Sequence, residues 1–495
     1  MTPRHAASDA PERRPPLRGA GAPVLAVDLD GTLMRSDLLW EGLLRLGMRR
    51  PWVLPGILLA LRRGRAALKR AVAEAMPIDP ASLPWREDLL AWLRAEKDAG
   101  RRIVLATGAD RLPAEAVARH LGLFDEVLAS DPPRNLSARR KADALRESFG
   151  EGGFDYVGDH HRKDAPVFEQ ARAAVPVGSP SLERLLRAKD RPIAASFADQ
   201  GTMLGTVLRA MRVHQWAKNL LVFVPLLTAH RVLDGGAWLA SGLAFAAFSL
   251  LASGTYLLND LHDLDADRLH PTKRHRPLAA GAISIPTALG LAVALVLGGL
   301  AIGVLLLPRP CLGSLAAYLG LTLAYSLFLK RLLLVDVIAL ALLYTIRIHA
   351  GAEAIEVELS EWLLVFSLFV FSSLAFLKRY VELRRSAPAS GATLAGRGYA
   401  AEDLAIVRVI GPALGVMSVL VLALYVQAPA VEEAYNRPGI LWLLLPLMTY
   451  WVARIWFLAE RGRVDDDPVA FAIRDRGTQA VVLLMAAVAL AAWKL

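Results

Sequence analysis

From residue 205 to its C-terminus, the chain is a series of apolar segments separated by short polar loops. Segments of roughly 17 to 25 apolar residues are long enough to cross the hydrocarbon core of a bilayer as helices. The sequence therefore predicts an all-α polytopic membrane domain over residues 205–495. Nine spans are expected, near 216–229, 238–259, 284–306, 311–328, 333–350, 362–377, 406–427, 439–458 and 478–494.

The loops between these segments alternate in charge. Those at 260–276, 330–331, 378–397 and 454–476 are rich in Lys and Arg, whereas the loop at 351–361 carries four Glu residues. Because basic loops stay on the inner side of the plasma membrane, we expect them, and the N-terminal soluble part, in the cytoplasm. The basic cytoplasmic loops then account for the net charge of +10. Because no nucleic-acid-binding motif is visible, we expect no nucleic-acid partner.

The N-terminal part alternates short apolar strands with helical segments, which predicts a parallel doubly wound α/β sheet. Ligands of such sheets bind where the strands end, and a carboxylate there can accept a phosphoryl group. Residues 1–21 lack an apolar stretch, and we expect a disordered leader there. Polar side chains follow three predicted strands. Asp28 and Asp30 come after the first strand, and Thr107 comes after the second, Arg102–Ala106. Asp159 and Asp164 come after the third, Phe154–Val157.

The motif Asp28-x-Asp30-Gly31-Thr32, with the later polar residues in order, resembles the haloacid dehalogenase (HAD) phosphatase superfamily. The resemblance implies that Asp28 is the nucleophile, Asp30 the general acid/base and Thr107 a phosphoryl contact. It also implies a lysine, for which Lys141 is a better candidate than Arg140. The expected Mg²⁺ ligands are Asp28, Asp30, Asp159 and Asp164. The expected limits are 22–185 for this domain, about 37–84 for a helical cap that sets substrate choice, and 186–204 for a linker.

The apolar run Trp238–Leu258 ends in an acidic stretch, Asn259 to Asp267. On a helix, Asp260, Asp263 and Asp267 share a face that Asn259 joins, whereas Asp265 points elsewhere. Oxygen ligands at the mouth of a membrane helix suit Mg²⁺, which is often held by carboxylates and substrate phosphates together. A solvated loop of mixed charge is the alternative. Basic residues that suit phosphate oxygens follow at once: Arg268, His270, Lys273, Arg274, His275 and Arg276.

The pattern Asn259-Asp260-x-x-Asp263-x-x-x-Asp267 resembles the first signature of the UbiA intramembrane prenyltransferase superfamily, and the resemblance covers residues 205–495. It implies nine transmembrane helices around a cavity, with Mg²⁺ at the three aspartates gripping a diphosphate and Asp263 as the central acid. Most members carry a second carboxylate cluster. Here the corresponding stretch holds only Asp336, and Arg347 is either its partner or a ligand contact.

Four more stretches resemble one branch of that superfamily, the decaprenyl-phosphate phosphoribosyltransferases. They are Arg212–Asn219, His270–Pro277, Lys378–Leu383 and Asp466–Pro468. The resemblance implies phosphoribosyl pyrophosphate and a polyprenyl phosphate as substrates and pyrophosphate as the leaving group. The expected substrate-binding residues of this domain are Lys218, Asn259, Lys273, Arg274, Arg276, Tyr325, Lys330, Asp336, Arg347 and Lys378.

The expected function is thus a Mg²⁺-dependent membrane transferase for cell wall biosynthesis that makes polyprenyl-phosphoryl-5-phosphoribose, fused to a phosphatase that removes the 5-phosphate. One alternative is an aromatic prenyltransferase using a prenyl diphosphate, against which the lone Asp336 and the basic cavity argue. Another is a transporter or lipid-binding scaffold, which leaves the aligned carboxylates unexplained. The bilayer and the lipid substrate are the expected partners, and a homo-oligomer is an open alternative.

Overall fold

The computed structural model describes residues 23–199, 201–386, 397–465 and 467–494. The expected leader, residues 1–21, and Asp466 lie outside these ranges. Within the described residues, the chain divides into two compact units. The first contains the residues up to Ala210 together with Leu257–Gly290, and the second contains Met211–Tyr256 and the residues from Leu291 onward. The acidic stretch Asn259–Asp267 therefore belongs to the same unit as the N-terminal α/β domain.

A six-stranded parallel sheet forms the centre of the first unit. Its strands are β1 Val24–Val27, β2 Ile103–Asp110, β3 Glu126–Ser130, β4 Phe154–Gly158, β5 Ala174–Gly178 and β6 Phe197–Ala198. Their order across the sheet is β3-β2-β1-β4-β5-β6. The predicted parallel doubly wound sheet is confirmed, and β6 carries it beyond residue 185, the expected end of the domain.

The sheet is buried on both faces because helices cover each side. Leu25 and Val27 of β1 pack into one apolar core, whereas Ala26 packs into the other, as expected for alternate residues of a strand between two layers of helices. The helices of this part are α1 Leu38–Arg49, α2 Leu54–Leu59, α3 Arg65–Ala75, α4 Glu87–Asp98, α5 Arg111–Leu121, α6 Arg139–Phe149, α7 Ala165–Gln170, α8 Pro180–Ala188 and α9 Met203–Ala210.

Helices α1 to α3, together with short 3-10 turns, make up the helical segment between β1 and α4 that the sequence predicts as a cap. Helix α1 begins at Leu38 because the Asp37 side chain accepts hydrogen bonds from the backbone N–H groups of Leu39 and Trp40. Such a carboxylate satisfies N–H groups that have no partner inside the first turn of a helix.

The rest of the chain is helical. A 3-10 helix, Val213–Phe223, precedes the first of these elements. The α-helices are α10 Val224–Thr228, α11 Gly235–His262, α12 Leu264–Leu269, α13 Ile285–Leu306, α14 Arg309–Leu327, α15 Val335–Ala354, α16 Glu361–Ser386, α17 Leu404–Val426, α18 Pro429–Ala434, α19 Leu444–Glu460, α20 Pro468–Arg474 and α21 Arg476–Lys494.

Eight helices in the described part of the chain are long and apolar enough to cross a membrane, namely α11, α13 to α17, α19 and α21, with 3-10 turns extending α17 and α19. The count of nine is not confirmed. The segment expected as the first span, 216–229, consists of the 3-10 helix and the five-residue α10. Pro225 lies in the first turn of α10, where its missing N–H costs least.

The outer surfaces of the long helices are apolar. Leu305, Val409 and Leu483 are 75%, 68% and 70% exposed, one on each of three different helices. So much exposed aliphatic surface is unusual in a protein surrounded by water, and it suits contact with lipid.

Candidate active sites

Three carboxylates meet at the edge of the sheet in the first unit. Asp28 follows β1, Asp159 follows the adjacent strand β4, and Asp164 precedes α7. One carboxylate oxygen from each lies within 4.8 Å of the others. Neighbouring parallel strands end at the same edge, and this edge is where open α/β sheets bind ligands.

The tight turn after β1 depends on Gly31. Its φ is +77°, and a Cβ atom at this position would lie 2.4 Å from Asp159 Oδ2. The next residue, Thr32, donates a hydrogen bond from its hydroxyl to Asp159 Oδ1 at 3.1 Å. A side chain at position 31 would therefore displace one of the three carboxylates, and Thr32 helps to orient it.

Lys141, on α6, is the cation of this site. Its Nζ lies 3.0 Å from Asp28 Oδ1 and 3.5 Å from Asp164 Oδ1. It also donates to the hydroxyl of Tyr156 at 3.0 Å, and that hydroxyl donates to Asp164 at 2.9 Å. The neighbouring Arg140 is exposed. The structure thus brings Lys141, and not Arg140, to the carboxylates.

The charge balance of this site fits a divalent cation. Burial raises the pKa of Asp28 to about 6 against the opposing effect of Lys141, and burial and the nearby Asp28 raise the pKa of Asp159 to about 7. Three carboxylates thus share one lysine, and Asp28 and Asp159 ionise less readily than usual, first because they are buried and then because negative charge lies nearby. Oxygen donors in this arrangement suit Mg²⁺.

Asp30 lies beside the three carboxylates and touches the cap. Its Oδ1 accepts a hydrogen bond from the backbone N–H of Leu38, the first residue of α1, at 3.0 Å. Burial and the neighbouring Asp37 raise the pKa of Asp30 well above its ordinary value. A carboxyl group whose pKa is raised holds its proton more strongly, which suits a general acid.

Thr107 is fully buried, and its hydroxyl accepts a hydrogen bond from the backbone N–H of Ala109 at 3.0 Å. It lies inside β2 rather than after it, because that strand continues to Asp110 through an irregular register. A cavity of about 230 Å³ opens next to Asp30, with Lys69 and Met76 of the cap segment in its lining.

The acidic stretch of the first unit is not one continuous helix. Helix α11 ends at His262, and α12 begins at Leu264, so Asp263 lies at the break between them. The Asn259 side chain donates to Asp263 Oδ2 at 3.1 Å. Arg276 Nη1 lies 3.2 Å from Asp260 Oδ1 and 2.6 Å from Asp267 Oδ2, and so bridges these two carboxylates.

The Arg276 bridge shows that the carboxylates of Asp260 and Asp267 can share one cation. Both are buried, at 4% and 3% exposure, so their charge needs a partner. The donor set is oxygen only and again fits Mg²⁺. Among the described residues, Asp28, Asp159 and Asp164 form a group of three carboxylates close enough together to hold one metal ion. Asp260, Asp263 and Asp267 do not form such a group. The predicted basic residues Lys273 and Arg274 are exposed on a 3-10 turn.

The second unit contains a group of half-buried charged residues around Lys218. This lysine forms an ion pair with Asp467, which also caps α20 by accepting a hydrogen bond from Ala470 N at 3.1 Å. Lys378, on α16, interacts electrostatically with both. Two predicted phosphate contacts are thus brought together. The sequence presents Asp467 only as part of the stretch Asp466–Pro468.

Arg347 of α15 lies in a second polar group. Its Nε donates to the Asn219 side-chain oxygen at 2.7 Å, and its Nη2 donates to the hydroxyl of Tyr318 at 3.1 Å. Arg347 also lies over the Tyr318 ring, 4.7 Å from the ring centroid. The hydrogen bonds and the ring account for the burial of this cation within the helices.

Asp336 does not pair with Arg347. Its Oδ2 lies 2.6 Å from Nε of Arg379 on α16, and the Tyr399 hydroxyl donates to its Oδ1 at 2.9 Å. Helical periodicity places Arg347 on the same face of α15, but the cation of the neighbouring helix reaches Asp336 instead. Arg379 also donates to the Tyr325 hydroxyl at 3.0 Å. Lys330 is half-buried on a 3-10 turn.

The sequence offered one signal for Arg379, its place beside Lys378 in a stretch expected near the end of a membrane span. Asp336 is fully buried, as is the Arg379 side chain. A buried charge requires a counter-charge, but the sequence does not identify which helix supplies it.

Comparison with known proteins identifies both parts of the chain. The profile of the UbiA prenyltransferase family matches residues 220–474. The chain belongs to the UbiA prenyltransferase family. The profile of haloacid dehalogenase-like hydrolases matches residues 25–169. Both resemblances predicted from the motifs are therefore confirmed, and the chain is a multi-pass membrane protein of this family with an N-terminal HAD-like domain.

The relatives differ in how much of the chain they match. Uncharacterized protein y4nM of Sinorhizobium fredii is 38% identical over 465 residues, which is 93% of this chain and 89% of that protein. Decaprenyl-phosphate phosphoribosyltransferase of Mycobacterium tuberculosis is 32% identical over 293 residues, which is 57% of this chain and 92% of that enzyme. A UbiA homolog from Archaeoglobus fulgidus, solved with GPP and Mg²⁺, has 17% identity and a TM-score of 0.46, covering 59% of this chain and 100% of its own.

Proposed function

We propose that this protein transfers phosphoribose from phosphoribosyl pyrophosphate to a polyprenyl phosphate and releases pyrophosphate, and that its HAD-like domain then removes the 5-phosphate from the lipid product. The UbiA part would carry the first reaction and the N-terminal part the second. Both sites would use Mg²⁺ and open to the cytoplasm, where the soluble substrate is made.

The charge of the second unit carries this proposal. Where an additional metal-binding carboxylate is expected, Asp336 is neutralised by Arg379, whereas Lys218, Arg347 and Lys378 are cations within the helices. A phosphate acceptor is anionic and gains from such cations. A neutral aromatic acceptor would gain nothing comparable. The similarity to decaprenyl-phosphate phosphoribosyltransferase over 92% of that enzyme supports the same choice.

In the transferase site, the acceptor phosphate needs no base because it is already ionised. One of its oxygens forms the new bond to the sugar carbon as the bond to pyrophosphate breaks. Asp260, Asp263 and Asp267 would hold Mg²⁺, which neutralises charge on the leaving pyrophosphate. The expected cations for the remaining phosphates are Lys218 and Lys378 in the second unit, and Lys273 and Arg274 in the first.

In the HAD-like site, a carboxylate oxygen of Asp28 would attack the 5-phosphate, with Lys141 and Thr107 contacting the phosphoryl oxygens. Asp30 would give its proton to the departing sugar oxygen and then take one from the water that hydrolyses the aspartyl-phosphate. Mg²⁺ at Asp28, Asp159 and Asp164 would offset the negative charge of the phosphate. The net products are the ribosylated lipid and inorganic phosphate.

The test follows the lipid product by mass spectrometry. Purified full-length protein is incubated with phosphoribosyl pyrophosphate, a polyprenyl phosphate and Mg²⁺. Wild type should yield polyprenyl-phosphoryl-ribose, Asp28→Asn should stop at the 5-phosphorylated lipid, and Asp263→Ala should form neither. If wild type leaves phosphoribosyl pyrophosphate untouched but consumes a prenyl diphosphate with an aromatic acceptor, the transferase proposal is wrong. If wild type and Asp28→Asn give the same lipid, the tandem proposal is wrong.

A further inference from the structure

A buried ion network joins the cap helix α1 to the acidic stretch of the UbiA part, and both belong to the first compact unit. Glu41 is fully buried, and Arg268 donates two hydrogen bonds to its carboxylate, at 2.7 and 3.0 Å. Arg45, one turn further along α1, donates to Glu41 at 2.8 Å and to Asp265 at 2.6 Å. The network thus contains two ion pairs, Arg268 with Glu41 and Arg45 with Asp265, and the members of each pair are more than 200 residues apart in the sequence.

The geometry of α12 connects this network to the metal-binding candidates. Asp265 and Arg268 are three residues apart on that short helix and face the cap. Asp267, on the same helix, contacts Arg276, and Asp263 precedes its first turn. A rotation of α12 would move both sets together because neighbouring side chains of one helical turn are rigidly related. The cap thus contacts the same short helix that carries Asp267 and that begins directly after Asp263.

A second contact holds the same segment through backbone packing. Gly281, which follows Arg276 by five residues, has a φ of +68°. A Cβ atom here would lie 2.4 Å from Arg35 Cβ and 2.5 Å from the Arg35 carbonyl oxygen. Arg35 precedes α1 and pairs with Asp199 at 2.9 Å. Segment Leu257–Gly290 thus meets the HAD-like domain at two separate points, the cap helix α1 and Arg35, which lies just before the cap.

Helix α1 also reaches the phosphatase site. Its first N–H donates to Asp30, and Glu41 lies one turn further along. We propose that α1 positions the acidic stretch for the transferase reaction, so that Glu41 and Arg45 are positioning residues for a reaction that the HAD-like domain does not itself perform. This inference rests on the proposed transferase function, and it extends the role of the HAD-like domain beyond phosphate removal.

The first readout needs no turnover. Hydrogen–deuterium exchange is measured on the full chain in lipid nanodiscs for wild type, Glu41→Gln and Gly281→Ala. Peptides covering residues 257–276 should exchange faster in both variants, while β1 and β4 stay unchanged. The matched control is Glu183→Gln, because Glu183 also pairs with an arginine four residues on, but on the surface of α8. This control should exchange as wild type does.

The second readout is the Mg²⁺ concentration that gives half-maximal pyrophosphate release. Mutation of a residue that orients a metal ligand typically weakens metal affinity by about tenfold or more. Glu41→Gln should therefore raise the half-maximal Mg²⁺ concentration by a similar factor. Arg45→Lys keeps the positive charge but loses the two-pronged guanidinium, and should raise the half-maximal Mg²⁺ concentration by a smaller factor. If Glu41→Gln does not fold, Arg45→Lys is measured in its place.

Unchanged exchange over residues 257–276 in the folded variants would overturn the inference, as would faster exchange spread evenly over the sheet. An unchanged Mg²⁺ requirement alongside faster local exchange would also overturn it, since the segment would then move without consequence for the site. If wild type shows no transferase turnover, the proposed function fails, whereas the exchange data still decide whether α1 holds the segment.

Discussion

At the scale of single residues, Lys141 is the side chain whose contribution the structure makes easiest to isolate. It contacts two of the three clustered carboxylates, and it lowers the pKa of Asp28 against the effect of burial. Lys141→Met should leave Asp28 less ionised and the phosphoryl group without a cation. Loss of one preorganised charged group typically costs about 100-fold or more in turnover.

The measurement is hydrolysis of the 5-phosphorylated lipid that Asp28→Asn is expected to accumulate. Arg140→Met is the matched control, because Arg140 is the preceding residue on α6 but is exposed. It should retain the wild-type rate. Equal rates for Lys141→Met and wild type would mean that Arg140 or another cation serves the phosphoryl group.

What the sequence could predict at this scale depends on whether a residue's role is local. The aspartates after β1 and β4 could be predicted because parallel strands end at a common edge. The partner of Asp336 could not, since the periodicity of α15 offers Arg347 while the folded chain supplies Arg379 from α16. Asp265 was expected only to point away from the metal face. Its partner Arg45 lies 220 residues earlier, and only tertiary packing brings the two together.

At the scale of elements, the long helices follow from apolar length, but the first expected span does not form one helix. Local pattern cannot distinguish a 3-10 segment from an α-helix when both are apolar, and here Val213–Phe223 takes the tighter form. This segment carries Lys218 and Asn219, whose side chains reach Asp467 and Arg347. Irregular backbone within a membrane domain is tolerated where it lines a protein interior, and here it presents polar side chains to the other helices.

Helices α15 and α16 are tied together by Asp336 and Arg379, and this pairing predicts a structural role for Asp336. In Asp336→Ala, Arg379 would keep its ion pair with Glu382. Breaking a buried pair by removing one member costs about 3–5 kcal/mol, and Glu382 should reduce that loss. Tyr399→Phe, which removes one hydrogen bond to Asp336, should cost about 1 kcal/mol.

Thermal unfolding in detergent, followed by tryptophan fluorescence, would rank these variants. We expect the melting temperature to fall in the order wild type, Tyr399→Phe, Asp336→Ala. Wild-type stability in Asp336→Ala together with lost transferase turnover would show instead that Asp336 acts on a ligand.

At the scale of the whole molecule, the proposed function combines a transferase that makes a phosphomonoester with a phosphatase that hydrolyses it. The relative from Sinorhizobium fredii, which matches 93% of the chain, spans both parts as well. Covalent linkage keeps the second site at a high effective concentration for the product of the first. The benefit disappears if the two reactions are placed on different chains, and this difference is measurable.

Two inactive variants should therefore complement each other poorly. Asp28→Asn retains the proposed transferase site and Asp263→Ala retains the proposed phosphatase site. When both are present in the same vesicles at low protein density, the 5-phosphorylated lipid should accumulate early and decline slowly as it diffuses between chains. Wild type at matched active-site concentrations should show little of this intermediate at any time. Raising the protein density should shorten the lag of the mixture but leave wild type unchanged. If the mixture matched wild type even at low density, the two sites would act as independent enzymes, and the fusion would not serve to pass on the product.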